Sequence, residues 1–236
     1  DPRRKRKNVE ALLKRRNYTL VEGDIRDRAF MHELFLKHRF DTVVHLAAQP
    51  GVRLSLEQPQ LYMDINVNGT LNTLEAARDS RVEKFIFGSS SSVYGDSGVI
   101  PFSEDGPLNP ISPYGVSKRT GELLCRNWNY LYGLNAAMLR FFTVYGPRQR
   151  PDMAIHKFVR KVINGETIRL FGDGSSRRDY TFVSDIVDGI LAVIDRNFGV
   201  ETYNLGDSSP VELSRLISTI ESAVGRKAVI EYLPDQ

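Results

Sequence analysis

The sequence has little cysteine and no long apolar run. Its 236 residues include a single cysteine, Cys125, which falls in a predicted helix. One thiol cannot build a disulfide framework or a thiolate metal site, so we expect Cys125 to be a small packed residue. No apolar stretch approaches the length of a membrane span, and no signal peptide is recognisable. The composition predicts a globular chain that binds no membrane and fits a reducing cytoplasm.

Several motifs of catalysis and metal binding are also missing. The four histidines are scattered, and no pair of them has ligand spacing with a carboxylate nearby, so no metal site is predicted. His45 lies inside a predicted strand, where we expect a packed side chain. Neither a Gly-x-Ser-x-Gly elbow nor a Walker loop occurs in the sequence.

Positive charge is concentrated at the start of the chain. Residues 1–16 carry a net charge of +6, whereas the remaining 220 residues sum to −3. A basic run at one end is typical of a solvated helix end, and no alternation of basic with aromatic residues accompanies it. We therefore expect no nucleic-acid partner.

Strand-like and helix-like patterns alternate along the chain. The predicted strands are 18–23, 42–48, 84–89, 135–142, 167–171, 202–205 and 228–232. The predicted helices are 29–39, 60–80, 113–132, 153–164, 184–197 and 210–225. This alternation predicts an α/β fold with a doubly wound, mostly parallel sheet, in which functional residues gather at the carboxyl ends of the strands. Four candidates lie at such ends: Asp24, Ala47, Ser90 and Thr143.

The most informative motif is a tyrosine and a lysine four residues apart. Tyr114 and Lys118 lie in the run SPYGVSK. Ser112 suits a helix N-cap and Pro113 the first helical position, so both side chains are expected on one face of a helix. A nearby ammonium stabilises phenolate, and we expect the pKa of Tyr114 to fall toward neutrality. Tyr114 would then be a general base.

Hydroxyl groups precede this pair at the end of a predicted strand. The apolar run at 84–88 leads into Ser89 and Ser90, as in a buried parallel strand that delivers polar groups at its carboxyl end. Hydroxyl, tyrosine and lysine follow in the order used by short-chain dehydrogenases/reductases. Longer blocks extend the resemblance: HLAAQPGVR at 45–53, SSSSVYG at 89–95, RFFTVYGPRQRPDMAIHKF at 140–158 and FGDGSSRRDYTFVSDIVDGI at 171–190.

In these blocks the chain resembles the extended branch of that superfamily, and more narrowly the nucleotide-sugar 4-epimerases. UDP-glucuronate 4-epimerase is the best match, and the resemblance covers nearly the whole chain. It implies NAD as cofactor, a UDP-sugar substrate and a homodimer. It also implies a Rossmann-like NAD-binding domain over residues 1–150 and a sugar-nucleotide-binding lobe over 151–236, with some return of the chain to the first domain.

One departure from the family pattern is the absence of a glycine-rich GxxGxxG turn. In the family this turn joins a strand to the helix whose N-terminus holds the NAD pyrophosphate. We therefore interpret the chain as N-terminally truncated, with an incomplete C-terminal lobe. This segment alone is expected to bind NAD weakly or not at all, to show no turnover and to self-associate through unpaired strand edges.

The resemblance assigns catalytic roles to three residues. Tyr114 would take the proton of the sugar 4-hydroxyl while C4 gives hydride to NAD. Lys118 would hold the tyrosine pKa down and bind the nicotinamide ribose. Ser90 would hydrogen-bond the reacting oxygen, with Ser91 and Ser92 close behind as substrate contacts.

Further cofactor contacts are implied beside Tyr114 and Lys118: Asp24, Ile25, Ala47, Ala48, Gln49 and Asn66. Asp24 matches the residue that pairs with the adenine amino group, although an aspartate after a strand is equally a helix N-cap. The small residues of the segment at 47–49 would let the backbone approach the cofactor. Asn66 matches an asparagine near the active site, and the alternative is that it bridges backbone groups.

Three more substrate contacts are implied by the resemblance: Thr143, Arg150 and Arg178. Arg178 matches the arginine that grips the UDP pyrophosphate. Most relatives have asparagine at the position of Thr143, whereas the glucuronate 4-epimerases resemble this chain there. A 4-keto uronate is a β-keto acid that loses carbon dioxide readily, so the Thr143 hydroxyl would hold its carboxylate out of alignment, with Arg150 at the nucleotide or carboxylate side. A threonine chosen for strand packing is the alternative.

Three functions stay open on the sequence alone. The first is an NAD-dependent UDP-glucuronate 4-epimerase. The second is a related chemistry on the same scaffold, either UDP-glucose 4-epimerase or UDP-glucuronate decarboxylase, which Asn at position 143 would have favoured. The third is a truncated, catalytically inactive module that self-associates, which the missing glycine turn favours.

Overall fold

The computed structural model describes residues 2–98 and 100–234. The helices are α1 (Pro2–Val9), α2 (Arg28–His38), α3 (Val52–Glu57), α4 (Pro59–Tyr62), α5 (Gly69–Asp79), α6 (Pro113–Tyr132), α7 (Ala154–Asn164), α8 (Val183–Ile194) and α9 (Leu213–Val224). The strands are β1 (Thr42–His45), β2 (Lys84–Ser90), β3 (Asn135–Phe141), β4 (Thr143–Tyr145), β5 (Ile168–Phe171), β6 (Arg177–Phe182), β7 (Val200–Leu205), β8 (Pro210–Glu212) and β9 (Ile230–Leu233). Within these residues no helix is long and apolar enough to cross a membrane.

Four parallel strands form the main sheet in the order β1, β2, β3, β7. The apolar run of β2 requires burial on both faces, and the sheet provides it. Phe85 and Phe87 pack in a core with residues of α2, α5 and α6, among them the fully buried Cys125. Ile86 packs on the opposite face against α8. Helices thus cover both faces, which confirms the predicted doubly wound sheet and the packed cysteine.

A smaller group of elements is formed mostly by the second part of the chain. β5 pairs in parallel with β9, and α7 and α9 pack on this pair through an apolar cluster that includes Val162, Ile168 and Ile217. β6 pairs in parallel with β4 and antiparallel with β8. β7 and α8 follow residue 150 but belong to the layers of the main sheet. The division into domains at 1–150 and 151–236 stays a prediction.

The predicted strand at 18–23 is wrong. This segment has no regular secondary structure, and its Leu20 and Val21 are 40% and 43% exposed. A strand needs a neighbour for its backbone N–H and C=O groups, and no strand of the described chain pairs with this segment. β1 is itself an edge strand that pairs with β2 alone among the described strands. It also ends at His45, before the predicted limit of 48.

The predicted helix at 210–225 begins three residues late. Its first residues form β8 instead, which pairs with β6, and Arg177 of β6 donates to the Glu212 carboxylate at 2.6 Å. α9 therefore starts at Leu213, and Gly225 ends it with a φ of +74°. The sequence pattern did not predict β6, so the pairing of β6 with residues 210–212 could not be expected.

The close approach of α6 to β2 at Gly121 gives a testable prediction. A Cβ on Gly121 would lie 2.3 Å from Cζ of the buried Phe87 ring. Gly121→Ala should therefore lower the free energy of unfolding by about 1–3 kcal/mol, the usual cost of overpacking. Gly199→Ala is the matched control, because a Cβ there meets no atom within 4 Å. Chemical denaturation measures both, and equal stability of the two variants would contradict the tight contact.

Candidate active site

The start of α6 presents the predicted tyrosine and lysine. Ser112 is the N-cap, its Oγ accepts from the Gly115 amide at 3.1 Å, and Pro113 occupies the first helical position. Tyr114 and Lys118 follow one helical turn apart, so both lie on the side of α6 that faces the carboxyl end of β2. The predicted helix at 113–132 and its capping are confirmed.

Lys118 is buried against the end of β2. Its Nζ donates to the Gly88 carbonyl at 2.7 Å and lies 5.1 Å from the centre of the Phe87 ring. The side chain is 5% exposed. Burial lowers its pKa from 10.5 to about 8 because it disfavours the charged form.

Tyr114 lacks the lowered pKa that the sequence predicts. Burial raises its pKa above the ordinary 10.0, and this effect outweighs the lowering by the Ser90 hydrogen bond and the Arg150 charge. The ammonium of Lys118 is held by the Gly88 carbonyl instead of acting on the phenol. The predicted shift toward neutrality is therefore wrong for this structure, and Tyr114 is a phenol at neutral pH.

Ser90 is the last residue of β2 and contacts Tyr114. Its hydroxyl is near enough to the phenol to favour the phenolate form. It also caps a 3-10 turn, Ser91–Val93, because Ser90 Oγ accepts from the Ser92 amide at 3.2 Å. Ser90 Oγ also lies 3.2 Å from Ser92 Oγ. The structure thus places the predicted hydroxyl beside the predicted base, with Ser91 and Ser92 in the turn that follows.

Asn66 fixes the segment that follows β1. The predicted helix at 60–80 contains a π-helical turn at Met63–Asn68, a feature frequent at functional sites. Asn66 Oδ1 accepts from the Gln49 amide at 2.7 Å, and its Nδ2 donates to the Gln49 carbonyl at 3.0 Å and to Ser117 Oγ at 2.9 Å. Its amide is used in bridging backbone, which supports the alternative reading of this residue. Ala47 and Ala48 lie just before Gln49, exposed and half-buried.

His45 packs behind this segment. It is 5% exposed, and its Nε2 lies 3.0 Å from Thr70 Oγ1, which donates to the Asn66 carbonyl. Burial, followed by the charge of Lys118, lowers its pKa to about 3. The imidazole is therefore neutral, in agreement with the expectation of a packed histidine.

Asp24 lies on an exposed turn beside Arg26. Arg26 Nη2 donates to its carboxylate at 2.7 Å, and Nη1 of the same guanidinium reaches Asp64 at 3.1 Å. The Arg26 hydrogen bonds lower the pKa of Asp24 to about 2. Asp24 is not a helix cap, because Asp27 caps α2. Ile25 packs against the core, and the adenosine contacts of both residues stay predictions.

Thr143 and Arg178 lie on adjacent strands. Thr143 opens β4, and its Cα is the register partner of that of Tyr180 on β6. Arg178 is two residues before Tyr180, so both point to the same face of β6. Burial raises the pKa of Tyr180, and the Arg178 charge partly offsets this. The exposed Arg178 guanidinium donates to the Arg177 carbonyl at 3.0 Å.

Arg150 acts on the candidate base through its charge. Its guanidinium is one of the groups that lower the pKa of Tyr114, and Nη2 donates to Asp152 at 2.8 Å. Arg4 of α1 donates to the neighbouring Gln149 carbonyl at 2.8 Å, so the basic α1 lies beside this loop. Arg150 is thus electrostatically coupled to Tyr114.

A buried ion pair close to the site was missed by the sequence analysis. Glu122 and Arg140 are 0% and 1% exposed and form two hydrogen bonds, at 2.8 and 3.0 Å. Ser89 Oγ donates to the same carboxylate at 2.7 Å. Two signals could have found the pair: Glu122 follows Lys118 by one helical turn, and Arg140 interrupts an apolar strand. The described residues contain no cluster of three or more His, Cys, Asp or Glu side chains that could hold a metal ion.

A doubly wound parallel sheet with Ser90, Tyr114 and Lys118 at its carboxyl edge defines a protein of the short-chain dehydrogenase/reductase class. Comparison with known proteins narrows this class, because the NAD dependent epimerase/dehydratase family matches residues 2–206. The chain belongs to that family. The resemblance predicted from the sequence blocks is confirmed.

The similar proteins include UDP-glucuronate 4-epimerases and a UDP-glucose 4-epimerase. The chain is 39% identical to UDP-glucuronate 4-epimerase of Thermodesulfobacterium geofontis over 227 residues, covering 95% of this chain and 70% of the relative. Its structure resembles UDP-glucuronic acid 4-epimerase of Bacillus cereus in complex with UDP-glucuronic acid and NAD, with a TM-score of 0.93 at 34% identity, over 99% of this chain and 74% of that one. UDP-glucose 4-epimerase of Thermotoga maritima with UDP-glucose gives a TM-score of 0.89 at 33% identity, over 94% and 73%.

The residues at the carboxyl edge of the sheet fit parts of NAD. The small side chains of Ala47 and Ala48 leave the backbone after β1 open to a flat ring system. The ribose contact of Lys118 and the amino-group contact of Asp24, whose ionised carboxylate is bound by Arg26, stay predictions. No glycine-rich phosphate turn occurs in the sequence, so the pyrophosphate has no recognisable cradle among these residues.

The buried ammonium of Lys118 predicts a pH dependence of stability. Its pKa is about 8 in the folded protein against an unfolded value of 10.5, so between these values the folded state binds fewer protons than the unfolded chain. The free energy of unfolding therefore rises with pH through this window, and the cost of burying the charge is fully present below it. In Lys118→Met this pH-dependent part of the free energy of unfolding is absent, because methionine does not ionise.

Denaturation of the wild type and Lys118→Met at several pH values tests this expectation. The stability of the wild type relative to the variant should increase from about pH 7.5 to about pH 10. A difference that stays constant over this range would contradict the lowered pKa of Lys118.

Proposed function

We propose that this protein is an NAD-dependent epimerase that inverts C4 of UDP-glucuronate through a 4-keto intermediate. The observation that carries the proposal is the placement of Ser90 at the carboxyl end of β2 beside the start of α6, where Tyr114 lies and Lys118 Nζ donates to the Gly88 carbonyl at 2.7 Å. Membership of the epimerase/dehydratase family and the similarity to two UDP-glucuronate 4-epimerases support this substrate.

Tyr114 is the proposed acid and base. Its Oη takes the proton of the sugar 4-hydroxyl and returns a proton to the 4-oxygen after the keto sugar has turned over. When bound, NAD would supply the acceptor of the C4 hydride and the donor for its return to the other face of C4. Burial raises the pKa of Tyr114 despite the lowering by Ser90 and by the Arg150 charge, so the base needs a further positive charge beside it, which the nicotinamide of bound NAD would supply.

Thr143 is the proposed carboxylate contact. The register partner of Ser90 on β3 is Phe141, and Thr143 follows it by two residues at the start of β4, so both residues lie near the carboxyl end of β3. A hydrogen bond from Thr143 would keep the C6 carboxylate from the alignment in which carbon dioxide leaves. Arg178, exposed on β6 beside β4, is the proposed contact of the UDP pyrophosphate.

Product analysis tests the function with Tyr114→Phe as the critical variant. The full-length protein should interconvert UDP-glucuronate and UDP-galacturonate, with little release of carbon dioxide. Tyr114→Phe removes the base but keeps the ring, so turnover should fall roughly a hundred- to ten-thousandfold with the fold intact. Chromatography of the sugar nucleotides and circular dichroism measure both effects.

Two outcomes would change the assignment. A UDP-pentose as the main product would make the protein a decarboxylase, and turnover of UDP-glucose alone would make it a UDP-glucose 4-epimerase. Near-full activity of Tyr114→Phe would remove Tyr114 from the role of base.

We further propose a homodimer formed through α6. Val116, Leu123 and Tyr130 are spaced by seven residues along one stripe of the helix, with exposed fractions of 39%, 50% and 86%. A two-fold axis would place this stripe against the same stripe of a second copy, which buries all three side chains. The edge of β1 is the alternative surface for self-association.

A charged residue in the stripe should separate the copies. Leu123→Glu should reduce the mass measured by light scattering to that of one chain, because a buried carboxylate without a partner opposes association. Leu36→Glu on α2 is the control, since Leu36 is equally exposed at 48% but lies outside the stripe. A dimer that survives in Leu123→Glu, or a monomeric wild type, would contradict the α6 interface.

A further inference from the structure

One buried carboxylate joins the three elements that carry the site. Glu122 lies on α6, one helical turn after Lys118. Its Oε1 accepts from Ser89 Oγ at 2.7 Å, and Ser89 precedes Ser90 on β2. The same Oε1 accepts from Arg140 Nε at 2.8 Å, and Arg140 lies on β3 three residues before Thr143. Each partner of this carboxylate is thus close in sequence to a proposed site residue.

The hydrogen-bonding capacity of Glu122 is fully used. Its Oε2 accepts from Arg140 Nη2 and from Arg119 Nη1, each at 3.0 Å, so four donors surround the two oxygens. Burial would raise the pKa of Glu122, but the hydrogen bonds of Arg140 and Ser89 outweigh this and lower it. The carboxylate is therefore ionised and held in a single orientation.

The other arm of Arg140 holds the loop between β2 and α6. Its Nη1 donates to Tyr94 Oη at 2.8 Å and to the Glu104 carbonyl at 2.9 Å. Tyr94 Oη donates in turn to Asn204 Oδ1 at 2.7 Å, and Asn204 Nδ2 donates to the Phe102 carbonyl at 2.9 Å. The network therefore extends from α6 through β2 and β3 to β7.

Stability alone does not account for an ion pair in this place. The loss of hydration of two buried charges offsets most of their attraction, and an apolar pair of similar volume is often as stable. Directed hydrogen bonds do what an apolar pair cannot, because they fix the distance and the angle between the helix and both strands.

We propose that Glu122 and Arg140 are a positioning pair that sets the placement of Ser90 and Thr143 relative to Tyr114 and thereby decides the fate of the 4-keto uronate. The inference rests on the proposed function. If the strands shift against α6, Thr143 no longer holds the carboxylate. The C5–C6 bond then breaks, carbon dioxide leaves, and the electron pair stays as the enolate of the C4 ketone, which takes a proton at C5. Return to C4 of the hydride that was removed from it would then give the UDP-pentose.

The double variant Glu122→Leu/Arg140→Met, made in the full-length protein, separates positioning from stability. Each single change leaves a buried charge unpaired and should lower the unfolding midpoint, whereas the double variant should recover most of it. Its kcat should nevertheless stay about tenfold or more below the wild type with little change in KM. The ratio of UDP-pentose to UDP-galacturonate should rise severalfold.

The matched control is the exposed pair Arg169 and Glu231, which joins β5 to β9 at 2.9 Å. Arg169→Met/Glu231→Leu should leave kcat and the product ratio unchanged. Wild-type kcat and product ratio in a folded Glu122→Leu/Arg140→Met protein would overturn the proposal. If that variant does not fold, Ser89→Ala removes one hydrogen bond of the network and should shift the product ratio in the same direction.

A readout without turnover distinguishes this inference from the proposed function. The Ser90 hydrogen bond lowers the pKa of Tyr114, so its loss in the double variant or in Ser89→Ala should raise that pKa. Ring-carbon NMR of labelled tyrosine, with Tyr114→Phe for assignment, measures it. An unchanged pKa would overturn the positioning role. A wild-type protein that makes no UDP-galacturonate would instead overturn the proposed function, and the titration would still decide the positioning role.

Discussion

The packing of α6 against β2 is the contact on which the site depends. One face of the helix meets three successive residues of the strand: Lys118 donates to the Gly88 carbonyl, Gly121 lies against Phe87, and Glu122 accepts from Ser89. A glycine at the centre allows the helix to approach so closely that polar side chains on either side reach the strand. The same approach brings Tyr114, at the start of the helix, to Ser90, at the end of the strand.

The electrostatics of the site follow from this burial. Tyr114 and Lys118 do not contact each other through their polar groups. The Lys118 ammonium donates to a backbone carbonyl, and Tyr114 contacts Ser90. Burial lowers the pKa of Lys118 and raises that of Tyr114, so it favours the neutral form of both side chains. Ser90 and the Arg150 charge lower the pKa of Tyr114 without overcoming the effect of burial, so the placement of these residues matters more to the base than the four-residue spacing of Tyr114 and Lys118.

The sequence predicted the features that depend on local chemistry. α6 has the predicted bounds because Ser112, Pro113 and the C-cap Gly133 mark its two ends in the local sequence, and β2 is buried because its residues are mostly apolar. Predictions failed where the outcome depends on a distant partner. The segment at 18–23 has no strand beside it in the described chain, and β8 is a strand because β6 pairs with it. Glu122 and Arg140 are paired only once α6 and β3 have packed.

In the proposed reaction C4 is oxidised and reduced again within a single site. UDP-glucuronate that carries deuterium at C4 tests it directly, with the UDP-galacturonate formed by the full-length protein analysed by NMR. Transfer of hydride away from C4 and back predicts that the product retains deuterium at C4, with none replaced by hydrogen from water. Loss of the deuterium to solvent would show that C4 is inverted by proton exchange and would contradict the account.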